Sequence, residues 1–221
     1  MAKKNEKKSR KAGRSTERRE RRLQSKRVNV HELDARVTES IVQSALAIGE
    51  RSGFDGLTVE SIATYSGVAK TTIYRRWPDV CSIVSHAFFK EAKLAAPIEQ
   101  CSTARESLRA SMRNLANTLN GRFGKMLCFL IAQAQNDDDV RRALRTEWFK
   151  PRRQLAGAIL RSGINSGELR ADLDVDIALD VLVGSLYQRV LEAGADPMPT
   201  EPHIDSLLDA IFAGLAPPGD G

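Results

Sequence analysis

Residues 68–77 read VAKTTIYRRW, which places a lysine, two threonines, a tyrosine and two arginines between Val68 and Trp77, with Ile73 in their midst. A helix formed here buries Val68 and Ile73 and turns Lys70, Thr71, Tyr74 and Arg75 outward. That outward face is built from groups that hydrogen-bond to phosphates and base edges. The residues just before it supply a partner helix. Thr58 stands as the N-cap of a short helix from Val59 to Tyr65, with Ser61 where a capping box would want Glu and Glu60 in the first turn. Leu57 and Ile62 can face a core, small Ala63 allows close crossing, and Gly67 suits a turn that needs a positive φ. A second short helix from about Ala69 to Arg76 completes a helix-turn-helix over residues 58–77, whose second helix fits a major groove about 12 Å wide. The plain alternative is a helical corner with a solvated polar face. A tyrosine beside two arginines, downstream of a basic arm, argues against it.

Outward from this motif the periodicity stays helical. Upstream, Val37, Ile41, Ala45 and Ile48 line one face of a helix that the glycines of RSGFDG, residues 51–56, bring to an end. Downstream, Pro78–Asp79 starts a fourth helix with Ile83, Val84, Ala87, Phe88 and Leu94 on its buried side, and Pro97 marks a domain boundary. Leu108, Met112, Leu115 and Leu119 form the stripe of the next helix, ended by Gly121, and Phe123 to Ala134 makes a short apolar one. Acidic residues 137–139 open a long helix to about Ile164, kinked at Pro151. Helices from Asp176 to Glu192 and from His203 to Leu215 close the chain. No segment alternates with period two and no long repeat appears, so the expected fold is all-α. It has about nine helices: an N-terminal three-helix helix-turn-helix domain and a larger C-terminal helical bundle. The expected divisions are a basic arm at 1–33, a DNA-binding domain at 35–95, a C-terminal domain at 98–216 and a tail at 217–221.

Charge is unevenly spread. The first 30 residues hold 13 Lys/Arg against 3 Asp/Glu, a net +10, while the remainder carries −4. A basic arm on a mildly acidic body points to a polyanion met through the N-terminal part, or else to a solubilising tail. With 42 % hydrophobic residues the 221-residue chain can bury a sizeable core, and no apolar run approaches the roughly 18 residues of a membrane span. Three dispersed cysteines, Cys81, Cys101 and Cys128, and three histidines without ligand spacing argue against disulfides or a metal site and fit a reducing cytoplasm. No cofactor is expected. With no Gly-rich phosphate loop, paired carboxylates or nucleophile–histidine arrangement in the sequence, an enzyme is not expected either.

GFDGLTVESIATYSGVAKTTIYRRWPDVCSIVSHAFF, residues 53–89, resembles the DNA-binding domain of the TetR family of transcriptional repressors. Gly53-Phe54, Thr58, Ile62-Ala63, Gly67-Val68, Thr72-Ile73-Tyr74 and Trp77 stand at the family's fixed offsets, and the likeness covers about residues 35–95. Residues 150–191, KPRRQLAGAILRSGINSGELRADLDVDIALDVLVGSLYQRVL, resemble one branch of the family's dimerisation and ligand-binding domain. Val80 departs from the pattern, because a lysine that contacts phosphate usually stands there. The resemblance implies that Thr58, Ala69, Lys70, Thr71, Thr72, Tyr74, Arg75, Arg76 and Trp77 form the DNA-binding set. Thr58 and the Tyr74 hydroxyl would donate to phosphates, Lys70 and Thr71 would read base edges, and Arg75 and Arg76 would sit near the backbone. The arm around Arg14–Arg27 would enter a minor groove or add non-specific attraction.

In the C-terminal half, Ile204, Leu207, Leu208, Ile211, Phe212 and Leu215 follow a one-face helical series. The apolar arc of the preceding helix is too wide for one partner. A homodimer interface is therefore expected through Ile177, Val181, Gly184, Ser185, Leu207, Leu208, Ile211 and Phe212, with burial inside the monomer as the alternative. Phe123, Met126, Leu127, Leu130, Trp148, Phe149 and Tyr187 are candidates for lining a small-molecule effector pocket, plain core packing being the commoner use of such residues. Gln133 or Asn136 would orient the ligand. The expected function is a ligand-responsive, sequence-specific DNA-binding regulator, a homodimeric repressor of a palindromic operator. The alternatives are a sequence-nonspecific architectural DNA binder or an activator on the same fold.

Overall fold

A computed structural model describes residues 33–193 and 201–215, so the arm up to residue 32 and the tail expected at 217–221 lie outside the described residues. Every element among them is helical. The first part comprises α1 (33–52), α2 (Val59–Ser66), α3 (Lys70–Tyr74) and α4 (Val80–Ala92). The second comprises α5 (Ala104–Leu119), α6 (Arg122–Gln133), α7 (Asp138–Ala143), a π-helical turn (Leu144–Phe149), α8 (Lys150–Asn165), α9 (Val175–Ala193) and α10 (Glu201–Leu215). With α7, the π turn and α8 counted as one continuous rod, the described residues form nine helices, and the all-α expectation holds.

α1 buries Ile41, Val42, Ala45 and Leu46. It stops at Gly53, whose φ of 83° lies in the left-handed region and whose N–H donates to the Gly49 carbonyl at 2.9 Å. A Cβ on Gly49 would fall 2.3 Å from the Phe54 ring, so the bare backbone there lets Phe54 fold back onto α1.

α4 begins at Asp79, whose Oδ1 accepts from the Ser82 N–H at 2.7 Å, and it buries Ile83, Val84, Ala87 and Phe88. Leu94, expected on that same side, is 88 % exposed. The helix ends at Ala92, and the turn that follows carries Leu94 out to solvent.

α4 is fixed to the second half of the chain by aromatic packing. The Phe88 ring stacks on Phe123 of α6 at 4.5 Å and meets Trp148 of the π turn edge-on at 5.4 Å, while Phe123 and Trp148 lie 5.0 Å apart. Phe54 packs on Phe129 of α6 at 6.1 Å, and Arg122 pairs with Glu91 at 2.7 Å. Proline accounts for the irregular rod. Pro151 has no N–H to donate to the carbonyl four residues back, and the preceding Lys150 N–H bonds Arg145 in π register. The kink expected at Pro151 is thus spread over the turn before it.

α5 is capped twice. The Thr103 hydroxyl accepts from the Glu106 N–H at 3.1 Å, and Glu168 of the α8–α9 connection accepts from the N–H groups of Ala104 and Arg105 at 2.7 and 2.8 Å. α10 lies along α5, burying Ile204, Leu208 and Phe212. Arg109 pairs there with Asp209 at 2.5 Å, and Arg113 pairs with Asp205, whose carboxyl it holds below the usual carboxylate range.

The aromatic cluster makes a direct prediction. Phe88→Ala should cost about 3–5 kcal/mol in urea unfolding, because it removes a buried ring from contacts shared by three elements. Leu94→Ala should change stability by no more than about 0.5 kcal/mol.

Candidate nucleic-acid interface and regulatory cavity

Thr58 and Ser61 form the start of α2 together. The Thr58 Oγ1 accepts from the Ser61 N–H at 3.1 Å, while the Ser61 Oγ accepts from the Thr58 N–H at 3.1 Å and donates to its carbonyl at 2.8 Å. Serine therefore closes the capping box that glutamate more often closes. These bonds use Thr58 as an acceptor and leave its hydroxyl proton for an outside oxygen. Gly67 ends α2 at φ 70°, donating to Ala63 at 3.0 Å, and the chain turns directly into α3.

Ile73 anchors α3, being wholly buried, and this fixes the rotation of the helix. Ala69, Lys70, Thr71, Tyr74 and Arg75 are exposed, Tyr74 by 51 %, and Thr72 is half-buried. Lys70 Nζ lies 2.5 Å from the exposed Glu60 carboxylate of α2, and this contact holds Glu60 below its usual pKa. The free protein thus presents a neutralised pair where the sequence alone showed an unencumbered lysine.

Two residues of the expected set are otherwise engaged. Arg76 forms an ion pair with Asp34 at the start of α1, so its charge ties α3 to α1. Trp77 is only 8 % exposed and sits edge-on to His86 of α4 at 5.6 Å. Placing Trp77 in the interface is corrected: the aromatic position at this offset is a core position. Val80, at the site of the missing lysine, packs half-buried against the same core.

A cavity of about 120 Å³ opens among α5, α8 and α9. Of the residues expected to line it, Phe149 and Tyr187 do. Phe123, Met126, Leu127, Leu130 and Trp148 do not, because they are buried in the core that joins α6 and the π turn to α4. Met112, Arg152 and Leu182 take their place. Trp148 still bounds the region indirectly, since its Nε1–H donates to the Tyr187 hydroxyl at 2.9 Å. Burial pushes the Tyr187 phenol up to about 12, so it is neutral at any ordinary pH. Gln133 and Asn136 are not part of this cavity. Arg152 carried no signal in the sequence: an arginine after Pro151 in a polar stretch reads as surface.

α9 turns Ile177, Val181 and Leu191 outward, exposed by 63, 51 and 58 %. Gly184 is exposed beside them and Ser185 is half-buried. On α10, Leu207 and Ile211 are half-buried, whereas Leu208 and Phe212 are fully buried within the chain. The expected interface therefore loses Leu208 and Phe212, which α5 claims; the Arg105 guanidinium lies 4.4 Å over the Phe212 ring. Among the described residues no group of His, Cys, Asp and Glu could hold a metal ion, and no helix is long and apolar enough to cross a membrane.

Comparison with known proteins adds to this geometry. Residues 41–79 match the model of the family described as bacterial regulatory proteins, tetR family, and residues 101–211 match that of the tetracyclin repressor-like C-terminal domain. The HTH-type transcriptional regulator YdeS of Bacillus subtilis is 31 % identical over 193 residues, covering 87 % of this chain and 96 % of YdeS. The crystal structure of the TetR family regulator SCO0332 superposes with a TM-score of 0.58 at 28 % identity, covering 82 % of this chain and 99 % of that one. FadR of Bacillus subtilis, solved in complex with stearoyl-CoA, shares the fold with a TM-score of 0.65 at 21 % identity over 80 % of this chain and 98 % of its own.

The opposite placements of Trp77 and Tyr74 can be separated by stability alone. Trp77→Ala is expected to cost about 3–5 kcal/mol in chemical unfolding. Tyr74→Phe, on the exposed face, should stay within about 0.5 kcal/mol of the parent.

Proposed function

Because the chain belongs to the TetR family of bacterial regulatory proteins, we propose that it is a homodimeric repressor. In this reading it binds a palindromic operator in the cytoplasm and lets go when a small molecule fills the cavity among α5, α8 and α9. The observation that carries the reading is the rotation of α3. Ile73 is buried and Trp77 is turned into the core, so Lys70, Thr71, Tyr74 and Arg75 form one exposed face beside Thr58. That face fits a major groove, with Lys70 and Thr71 at base edges and Thr58, Tyr74 and Arg75 at phosphates. Ala69 and Thr72 lie at its margin, and Arg76 acts through α1.

Dimerisation supplies the second half-site. A monomer that leaves Ile177, Val181 and Leu191 in water beside a bare Gly184 has an apolar face suited to a second copy of itself. Two recognition helices about 34–36 Å apart would then meet successive major grooves. Release follows from population shift: a ligand that favours a different separation of the two helix-turn-helix units lowers operator affinity by its differential affinity for the two states.

Selection of bound duplexes from a random pool at roughly 0.15 M salt, where non-specific attraction is screened, should enrich a palindrome with half-sites about one helical turn apart. Recovery without a consensus would refute sequence-specific binding. On the selected site, Lys70→Ala should relax preference at one base position, while Tyr74→Phe should weaken all sequences alike. Unchanged relative affinities for Lys70→Ala would remove it from base reading. Val181→Asp should sediment as a monomer and lose most operator affinity; a dimer that persists would place the interface elsewhere.

A further inference from the structure

The cavity contains a cation, Arg152, that no carboxylate among the described residues neutralises. Its walls are mainly apolar, with Leu108, Met112, Phe149 and Leu182 among them, and Ser111, Arg152, Arg153 and Tyr187 bring polar groups to it. The neighbouring Arg153 shows what a satisfied arginine looks like here: it pairs with Asp176 at 2.9 Å and Asp180 at 2.6 Å. Arg152 differs. Its guanidinium carbon sits 3.6 Å above the Trp148 ring, and its Nη2 donates to the carbonyls of Ala95 and, at 3.2 Å, Ala96. Its Nε is buried without a partner. Among the described residues its contacts are carbonyl oxygens and an aromatic face, with no carboxylate. Burial lowers its pKa from the ordinary arginine value. A desolvated guanidinium with an unspent donor is costly unless an anion completes it.

We propose that the cavity takes a small organic carboxylate with an apolar body, bound side-on by the Nε and Nη2 edge of Arg152. The proposal rests on the effector reading above and names its ligand class. A planar guanidinium presents two parallel donors on that edge, matched to the two oxygens of a carboxylate. The Tyr187 hydroxyl accepts from Trp148 and retains its own proton, which can be donated to one of those oxygens. The volume of about 120 Å³ suits a body near the size of benzene, which fills an apolar cavity of roughly 150 Å³ in a well-studied lysozyme variant.

The same edge gives the ligand a handle on the DNA-binding half. Nη2 is the group that holds the Ala95 and Ala96 carbonyls, just beyond the end of α4. Ala96 also lines the cavity and holds a φ of 47°, in the region an L-residue avoids. A carboxylate drawing Nη2 away would weaken the grip on a strained connection and let α4 shift.

The test uses the full chain and calorimetric titration with matched acids and amides: benzoate against benzamide, phenylacetate against phenylacetamide, hexanoate against hexanamide. At least one acid should bind about tenfold or more tightly than its amide, since only the acid completes the charged pair. Arg152→Gln should bring acid and amide to within about threefold. If Arg152→Gln fails to fold, Arg152→Lys, which keeps the charge but not the two-donor edge, should lose most of the preference. Amides binding as well as acids, no acid binding, or a preference that survives loss of the guanidinium would each overturn the proposal. Complexes with the selected operator, titrated in parallel, separate it from the effector reading. Acid binding that leaves the DNA complex intact would keep the anion site and remove the effector role. Release by amides and acids alike would do the reverse.

Discussion

The mutual packing of Phe88, Phe123 and Trp148 is the contact on which the rest of the molecule depends. α4 leads from the helix-turn-helix towards the second half of the chain, and a join at Pro97 alone would leave the two halves free to rotate. The buried rings remove that freedom, helped by Phe54 on Phe129 and Arg122 on Glu91. Close-packed interiors move between discrete arrangements rather than deforming smoothly. A shift at the end of α4 must therefore either break this cluster or carry it along. Trp148 is the hinge of that choice. Its ring packs with Phe88 and Phe123, the Arg152 guanidinium covers it, and its Nε1–H reaches Tyr187 in the cavity wall.

Helices, their order and the helix-turn-helix were legible because their signals are local. An N-cap at Thr58, a left-handed stop at Gly67 and an anchor at Ile73 each act within a few residues. The exposed face of α3 follows from those three. What the sequence hid was the destination of side chains over longer distances. Trp77 and Tyr74 are both aromatic and three residues apart, and only the position of α4 decides that one is core and the other surface. Leu94 kept the periodicity of α4 beyond the end of the helix, where periodicity no longer has meaning. The large residues of α6 and the π turn could pack against another helix or border a void, and local pattern does not distinguish the two. Arg152 was illegible for the converse reason: its environment is made by Ala95, Ala96 and Trp148, which its own neighbourhood in sequence does not reveal.

Charge is arranged to the same end. The proposed DNA face is not simply cationic, since Glu60 sits against Lys70 and Asp34 against Arg76. The exposed Lys70–Glu60 pair contributes little to stability. Its effect at a DNA surface is larger in kind. Lys70 must leave a carboxylate to reach a base or a phosphate, so non-specific attraction at that point is weakened while a well-placed acceptor can still compete. Discrimination obtained by penalising wrong partners needs such a repulsive element.

α9 ties the cavity to the outer face. Leu179 and Leu182 line the cavity, and on the opposite side of the same helix Ile177 and Val181 lie in solvent. If a second copy covers that side, as proposed, any adjustment of α9 to a bound molecule also alters how two chains meet. The α4 connection offers an independent route through Arg152. The two routes respond to different chemistry. A ligand filling the apolar cavity would press on α9 whatever its charge, whereas only an anion would compete for the guanidinium that holds Ala95 and Ala96. A carboxylate would act through both at once and a neutral ligand of equal size through one. On this arrangement, charge decides whether a molecule that fits the cavity also reaches the helix leading to the DNA-binding face.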